Sequence, residues 1–272
     1  DRDTHAPVAQ LSSKGVFIKE IEDALLSGEA DVAVHSMKDV PTAIPEGLVI
    51  AAVCEREDVR DAVISRSGRP LSELPGKAVI GTSSLRRQAI IKHSFPRLQV
   101  STLRGNLNTR LRKLDEGQYD AILLARAGLV RLGWAGRITE TLSTEVALPA
   151  VAQGAVGVEC RARDGEIVAL LSYLNHPPTA AAVEAERALL RKLEGGCQVP
   201  LGAWAREEKG TFRLDACVMS LDGRAYLRDR IEGRSSEAKS LGIHLAEKLL
   251  AQGADQILAE IRRDTGQGSP DV

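Results

Sequence analysis

The sequence predicts an α/β protein in which two α/β domains border a cleft and a small C-terminal α+β domain with an antiparallel sheet follows. Three observations lead there. Between residues 77 and 132 an apolar strand, a short polar loop and a helix follow one another three times. That is the spacing of a parallel sheet with right-handed crossovers. Apolar strands at 30–34 and 48–53 precede this section and another at 155–160 follows it, the pattern of a domain that the chain leaves and re-enters. Beyond Pro177-Pro178 the alternation stops, and helix, hairpin and helix take over.

Taken in order, a helix near 15–26 precedes the strand at 30–34 and the loop His35-Ser36-Met37-Lys38-Asp39-Val40-Pro41. After the strand at 48–53, the charged stretch 55–60 reads as a linker. A strand at 78–80 runs into Gly81-Thr82-Ser83-Ser84 and a helix to about Lys92. A strand at 98–101 runs into Leu103-Arg104-Gly105-Asn106 and a helix to about Leu114, and a strand at 121–124 into a helix near 127–132. The segments 146–151 and 155–160 read as return strands. A helix at 180–193, a loop around Cys197, a hairpin turning at Asp222-Gly223 and an amphipathic helix near 236–252 complete the chain. The expected domains are residues 1–54 with 155–174, residues 60–148, and residues 177–272.

The 272 residues carry a net charge of -1, with 43% hydrophobic and 27% charged residues, which excludes extensive disorder. Aromatics make up 3%, too few for base-stacking platforms, so no nucleic-acid partner is expected. No window approaches eighteen apolar residues and no charged-then-apolar leader opens the sequence, so neither a membrane span nor a signal peptide is expected. No heptad pattern or long apolar stripe calls for a partner chain, and a monomer is expected. The four cysteines, at 54, 160, 197 and 217, show no C-x-x-C or Cys/His ligand spacing. That argues against zinc and against a disulfide framework, and for a reducing, cytoplasmic setting. Cys54, Cys160 and Cys217 lie in apolar or alternating runs and read as structural. Cys197 differs, because Gly195, Gly196 and Pro200 place it in a turn, where a thiol can be either structural or reactive.

The near-zero net charge conceals a segregation. Residues 77–137 hold twelve Lys and Arg against three acids, a local +9 that leaves -10 on the rest. Arg86 and Arg87 fall in the first turn of a helix capped by Thr82, Ser83 or Ser84, where the helix dipole is already positive. Arg104 stands at the equivalent junction one unit later, with Arg110 two turns into its helix. Free backbone amides, hydroxyls and guanidiniums at adjacent loop mouths suit a polyanion. With no G-x-G-x-x-G and no P-loop string, several carboxylates on one ligand fit as well as phosphates. Arg131, near a helix end, needs no such explanation. Lys38-Asp39 directly follows a strand. Asp39 can be an Asx-turn cap ahead of Pro41, or an ionised carboxylate that stabilises a developing cation and relays a proton. His35 reads as a satisfied strand-end histidine.

Five strings in order then resemble the porphobilinogen deaminase (hydroxymethylbilane synthase) family. They are Ala33-Val34-His35-Ser36-Met37-Lys38-Asp39-Val40-Pro41, Gly81-Thr82-Ser83-Ser84-Leu85-Arg86-Arg87-Gln88, Leu103-Arg104-Gly105-Asn106 with Arg110, Leu148-Pro149-Ala150-Val151-Ala152-Gln153-Gly154-Ala155, and Glu194-Gly195-Gly196-Cys197-Gln198-Val199-Pro200. The resemblance implies two periplasmic-binding-protein-like lobes and a transferase that deaminates porphobilinogen and joins four molecules head to tail. The growing chain is carried on a dipyrromethane cofactor attached through Cys197. A thiolate on a loop is suited to the thioether this needs. Asp39 is implied in deamination and cation stabilisation. Lys38, Ser36, Thr82, Ser83, Ser84, Arg86, Arg87, Arg104, Arg110, Gly128 and Arg131 are implied around the cofactor and substrate carboxylates. Lys14 and Phe17 are implied in a mobile loop over the cleft. No metal is implied. The family's opening strand, with its arginine and serine, has no counterpart here, and Gln10 stands where relatives often carry lysine. Residues upstream of Asp1 are therefore expected. Two other readings compete: a solute-binding module, which would leave Cys197 without a purpose, and a nucleic-acid binder, which the scarcity of aromatics disfavours.

Overall fold

The structure is a computed structural model that describes residues 13–193 and 199–264. Helix α1 (Ser13–Ser27) buries Ile18, Glu22 and Leu25, an i, i+4, i+7 stripe, and stops at Gly28, whose φ of 83° only glycine adopts without strain. Strands β1 (Val32–Ser36) and β2 (Leu48–Val53) follow. The next run is β3 (Asp61–Ser65), β4 (Val79–Gly81), α2 (Leu85–Ser94), β5 (Gln99–Ser101), α3 (Leu107–Asp115), β6 (Ala121–Ala125), α4 (Arg126–Arg131) and β7 (Glu140–Thr141). The chain returns through β8 (Val156–Arg161) and α5 (Gly165–Ser172). It then builds α6 (Pro177–Lys192), β9 (Leu201–Glu208), β10 (Thr211–Met219), β11 (Tyr226–Gly233), α7 (Ala238–Ala251) and α8 (Ala254–Asp264). Among the described residues no helix is long and apolar enough to cross a membrane.

Three sheets organise these elements. In the first, β8 lies between β1 and β2 and is antiparallel to both, so the returning strand stitches the first domain together. The second has the order β5-β4-β6-β3-β7. Its β4 runs parallel to β5 and β6, as the alternation predicts, while β3 is antiparallel to β6 and β7. The third is the antiparallel meander β9-β10-β11, packed against α6 and α7. Two α/β domains and an α+β domain with an antiparallel sheet are thus what the chain forms.

The differences from the sequence reading have local causes. Segment 146–151 is not a strand; the backbone there is irregular, and Leu148 plugs between domains while its carbonyl accepts from Arg86. The Pro149 carbonyl accepts from Ala203 of β9, so these groups are satisfied without a ladder. Strand β3 escapes the sequence reading because it is buried at all five positions and opens on an aspartate beside the charged run 55–60. Helix α1 begins at Ser13, which places Lys14 and Phe17 in helix rather than in a loop; the amphipathic period simply extends through Gly15 with no breaker to end it. Cys160 and Cys217 are buried as expected, whereas Cys54 is half-buried; all three are free thiols.

The two crossings between the α/β domains run side by side. Glu57 N–H donates to the Gly154 carbonyl at 3.2 Å, and a Cβ on Gly154 would stand 2.5 Å from the Glu57 carbonyl oxygen, so the crossing requires glycine. Glu186 of α6, fully buried, holds both crossings. Its carboxylate accepts from Arg56 at 2.6 and 3.1 Å, from Ala152 N–H at 2.6 Å and from Ala205 N–H at 2.8 Å.

The first domain also carries a cost. His35 Nε2 meets Glu159 Oε2 at 2.9 Å, the satisfied histidine expected. Glu22 packs beside this pair, and one oxygen of each carboxylate is buried without a hydrogen bond. Burial, with the Glu159 charge next, raises the Glu22 pKa, against a smaller opposing pull from His35. A carboxyl whose pKa is raised on folding contributes most below its unfolded pKa, and that contribution is lost as pH rises through the folded one. Glu22→Gln is therefore expected to raise Tm by a few degrees at pH 7 and to lose this gain as pH falls towards 4, as scanning calorimetry would show.

Candidate functional site

The loops that leave the carboxyl ends of β4, β5 and β6 open on one side of the second sheet, where ligands of open α/β sheets bind. Ser84 is the α2 cap, its hydroxyl accepting from Arg87 N–H, which settles which of the three hydroxyl residues caps the helix. Thr82 is buried, and its Oγ1 accepts from Ser84 N–H at 3.2 Å, so it shapes the loop from beneath; Ser83 is exposed.

Arg86 and Arg87 are buried, with 3% and 6% exposure, and the reason is a residue that the sequence reading passed over. Asp61, the first residue of β3, is fully buried. Its Oδ2 lies 2.8 Å from Arg86 and its Oδ1 2.8 Å from Arg87. Gln153 donates to the same Oδ1 at 2.9 Å and to the Val59 carbonyl at 2.7 Å. Burial alone would raise the Asp61 pKa; the two guanidiniums outweigh it and hold the carboxyl well below the usual range. Arg86 also donates to the Leu148 carbonyl and Arg87 to the Leu123 carbonyl. Two cations against one carboxylate leave a net positive charge, and Arg86 Nε–H is buried without an acceptor. The only sequence signal for Asp61 was an acid at the start of an otherwise apolar run.

From the first domain comes the turn after β1, closed by Asp39 N–H donating to the Ser36 carbonyl at 2.9 Å. Ser36 is exposed, Lys38 and Asp39 half-buried. Arg110, half-buried on α3, joins the two sides. Burial and then the Arg87 charge lower its pKa, while the Asp39 carboxylate raises it. Asp39 therefore sits within electrostatic reach of Arg110 on the second domain. Arg104 is exposed at its loop mouth. Arg131 is exposed and donates to the Gly154 carbonyl at 2.7 Å, which makes it a tie between the second domain and the crossing. Gly128 lies in α4, where a Cβ would press on Leu107 at 3.3 Å. Lys14 and Phe17 belong to α1, and Cys197 lies outside the described residues.

Where the three domains meet there is a groove lined by Lys38, Ser84, Arg86, Val151, Leu190 and Val199, with no acid among its lining residues. Val199 follows Cys197 by two residues. An ammonium, a hydroxyl and a guanidinium with an unmet donor, set on apolar walls, fit a carboxylate-bearing organic group such as a dipyrromethane.

Comparison with known proteins agrees with this chemistry. Residues 1–169 match the family model "Porphobilinogen deaminase, dipyromethane cofactor binding domain", and residues 180–251 match "Porphobilinogen deaminase, C-terminal domain". The porphobilinogen deaminase of Methylobacillus flagellatus is 51% identical over 96% of this chain and 84% of its own length. That of Gloeobacter violaceus is 53% identical over 96% and 81%. Among solved structures, the periplasmic VFT2 domain of Bordetella pertussis BvgS overlaps with 57% of this chain and 65% of its own at 20% identity and a TM-score of 0.35. With both family models in order and half of all residues shared along nearly the whole chain, this protein belongs to the porphobilinogen deaminase family.

Proposed function

We propose that the chain is a hydroxymethylbilane synthase, which deaminates four porphobilinogen molecules and joins them head to tail with release of ammonia. The observation that carries the proposal is the groove in which Lys38, beside Asp39, and Ser84 and Arg86 of the second domain face Leu190 and Val199 of the third, with no acid among its lining residues. Each substrate brings an acetate and a propionate, so the growing chain is a polyanion, and the +9 section has a ligand of matching sign. The dipyrromethane, when bound, supplies the carbon nucleophile on which the chain is extended. Cys197 is its point of attachment through a thioether.

The residues divide the work. Arg86, Arg87 and Lys38, with the Ser84 hydroxyl and the amides of the 82–84 loop, hold carboxylates of the primer. Arg104, Arg110 and Arg131 hold those of incoming substrate and product units. Asp39 balances the positive charge that spreads over the pyrrole ring as ammonia leaves, and accepts and returns the proton of the pyrrole nitrogen. The three sheets support a division into residues 1–54 with 155–174, 60–148 and 177–272. The reading includes a cytoplasmic monomer without a membrane or nucleic-acid partner, in keeping with the three free thiols.

Intact-mass analysis of protein purified from cells tests the assignment. The expected result is an addition equal to two pyrrole units, absent from Cys197→Ala. Active protein of unmodified mass would overturn it.

A further inference from the structure

The turn that carries Asp39 has a problem of its own. After Asp39 the chain runs through Val40, Pro41 and Thr42 without entering a strand or helix, so their carbonyls lack a ladder, and Pro41 has no N–H to offer a neighbour. All three carbonyls are taken by one helix of the third domain. Arg187 of α6 donates from one terminal nitrogen to the Val40 carbonyl at 3.0 Å and from the other to the Pro41 carbonyl at 2.5 Å. Arg191, one helical turn on, donates to the Thr42 carbonyl. The i, i+4 spacing puts both guanidiniums on one face, so successive residues of the turn are read by successive turns of the helix.

Two further features make α6 more than a local brace. Glu186, beside Arg187, clamps both interdomain crossings and β9. The helix also ends at Lys192, just before the segment that contains Cys197. A stiff rod thus begins at the crossings, grips the Asp39 turn and leads into the cysteine-bearing segment.

We propose that Arg187, assisted by Arg191, is a positioning residue that holds the Asp39 turn against the third domain and so sets Asp39 relative to the groove where the three domains meet. This rests on the roles given to Asp39 and Cys197 above. Arg187 donates to two backbone carbonyls of the turn that carries Asp39, which places it to act through that turn. It is half-buried, and Arg191 is exposed, so truncating either leaves the core intact. The guanidinium fork matters more than its charge, because an ammonium is a point donor that cannot span two carbonyls in fixed geometry.

The test is a double-mutant cycle read by turnover. Arg187→Met is expected to keep the two-pyrrole mass and a Tm within a few degrees of wild type. Its kcat should fall about ten- to hundredfold, with KM changed less than about twofold, the signature of a misplaced group rather than lost binding. Arg187→Lys should recover only a minor part of the loss. On the Asp39→Asn background, Arg187→Met should cost little more, since the group it positions is already disabled. A near-normal kcat in Arg187→Met overturns the proposal, as does a loss that multiplies fully with that of Asp39→Asn. So does a loss matched by a fall in Tm or by missing primer mass. Normal turnover in Asp39→Asn alone would be a different failure, that of the role given to Asp39.

Discussion

Asp61→Ala is expected to destabilise the protein by about 3–5 kcal/mol and to empty the second domain's cradle of its order. The carboxylate is fully buried between two arginines that are themselves buried, and it pairs with both. Removing it leaves two guanidiniums in a low dielectric with their charges uncompensated, and leaves Gln153 with one acceptor instead of two. The penalty for stranding a buried charge exceeds the net worth of the intact pair. The asymmetry gives a check: Asp61→Ala combined with Arg87→Met should be less destabilised than the sum of the two singles, because the double change removes a charge of each sign. Urea denaturation of the three variants would measure this. Full additivity would mean that Asp61 and Arg87 do not act as a pair.

Asp39→Asn is expected to lower kcat by about 10²–10⁴-fold, with the fold, the Tm and the covalent primer unchanged. The substitution keeps the size of the side chain, and the turn bond from Asp39 N–H to the Ser36 carbonyl survives because it is made by backbone. What is lost is the negative charge opposite Arg110. The amide cannot balance a cation on the substrate or take its proton, so the loss appears in turnover, with binding by the arginines largely retained. Steady-state kinetics with intact-mass analysis of the same sample would separate the two. A variant that turns over within about threefold of wild type would remove Asp39 from the chemistry.

How far the sequence carries depends on what each element needs. The repeated strand–loop–helix units were legible because β4 and β6 are largely buried and α2 and α3 carry side-chain caps, so period and punctuation agree. The arginine positions were legible for the same reason, since a first-turn arginine is out of place on dipole grounds alone. Their explanation was only half legible. Asp61 sits 25 residues before Arg86 in sequence, and nothing local marks it as the counter-charge that makes two buried guanidiniums tolerable. Strand β9 was missed because Arg206, Glu207 and Glu208 break its alternation, and α5 because its exposed Leu170, with the exposed Leu174 just beyond its end, blurs the helical period. The hold of α6 on the Asp39 turn joins residues almost 150 positions apart by side chain to carbonyl, a kind of bond that leaves no pattern in either segment.

The turn of the β10–β11 hairpin, placed by Asp222-Gly223, is also a joint. Gly223 has φ 75°, and a Cβ there would lie 2.7 Å from the backbone nitrogen of His93 and 3.0 Å from the Ala89 carbonyl. Lys92 and His93, at the C-terminal end of α2, bond the carbonyls of Leu221 and Gly223. The third domain thus presses a bare backbone bend on one end of the helix whose other end presents Arg86 and Arg87. Like a fingertip on the far end of a lever, this contact fixes the pitch of α2. Any side chain added at Gly223 would be felt about 10 Å away, two helical turns along, where Arg86 and Arg87 meet Asp61.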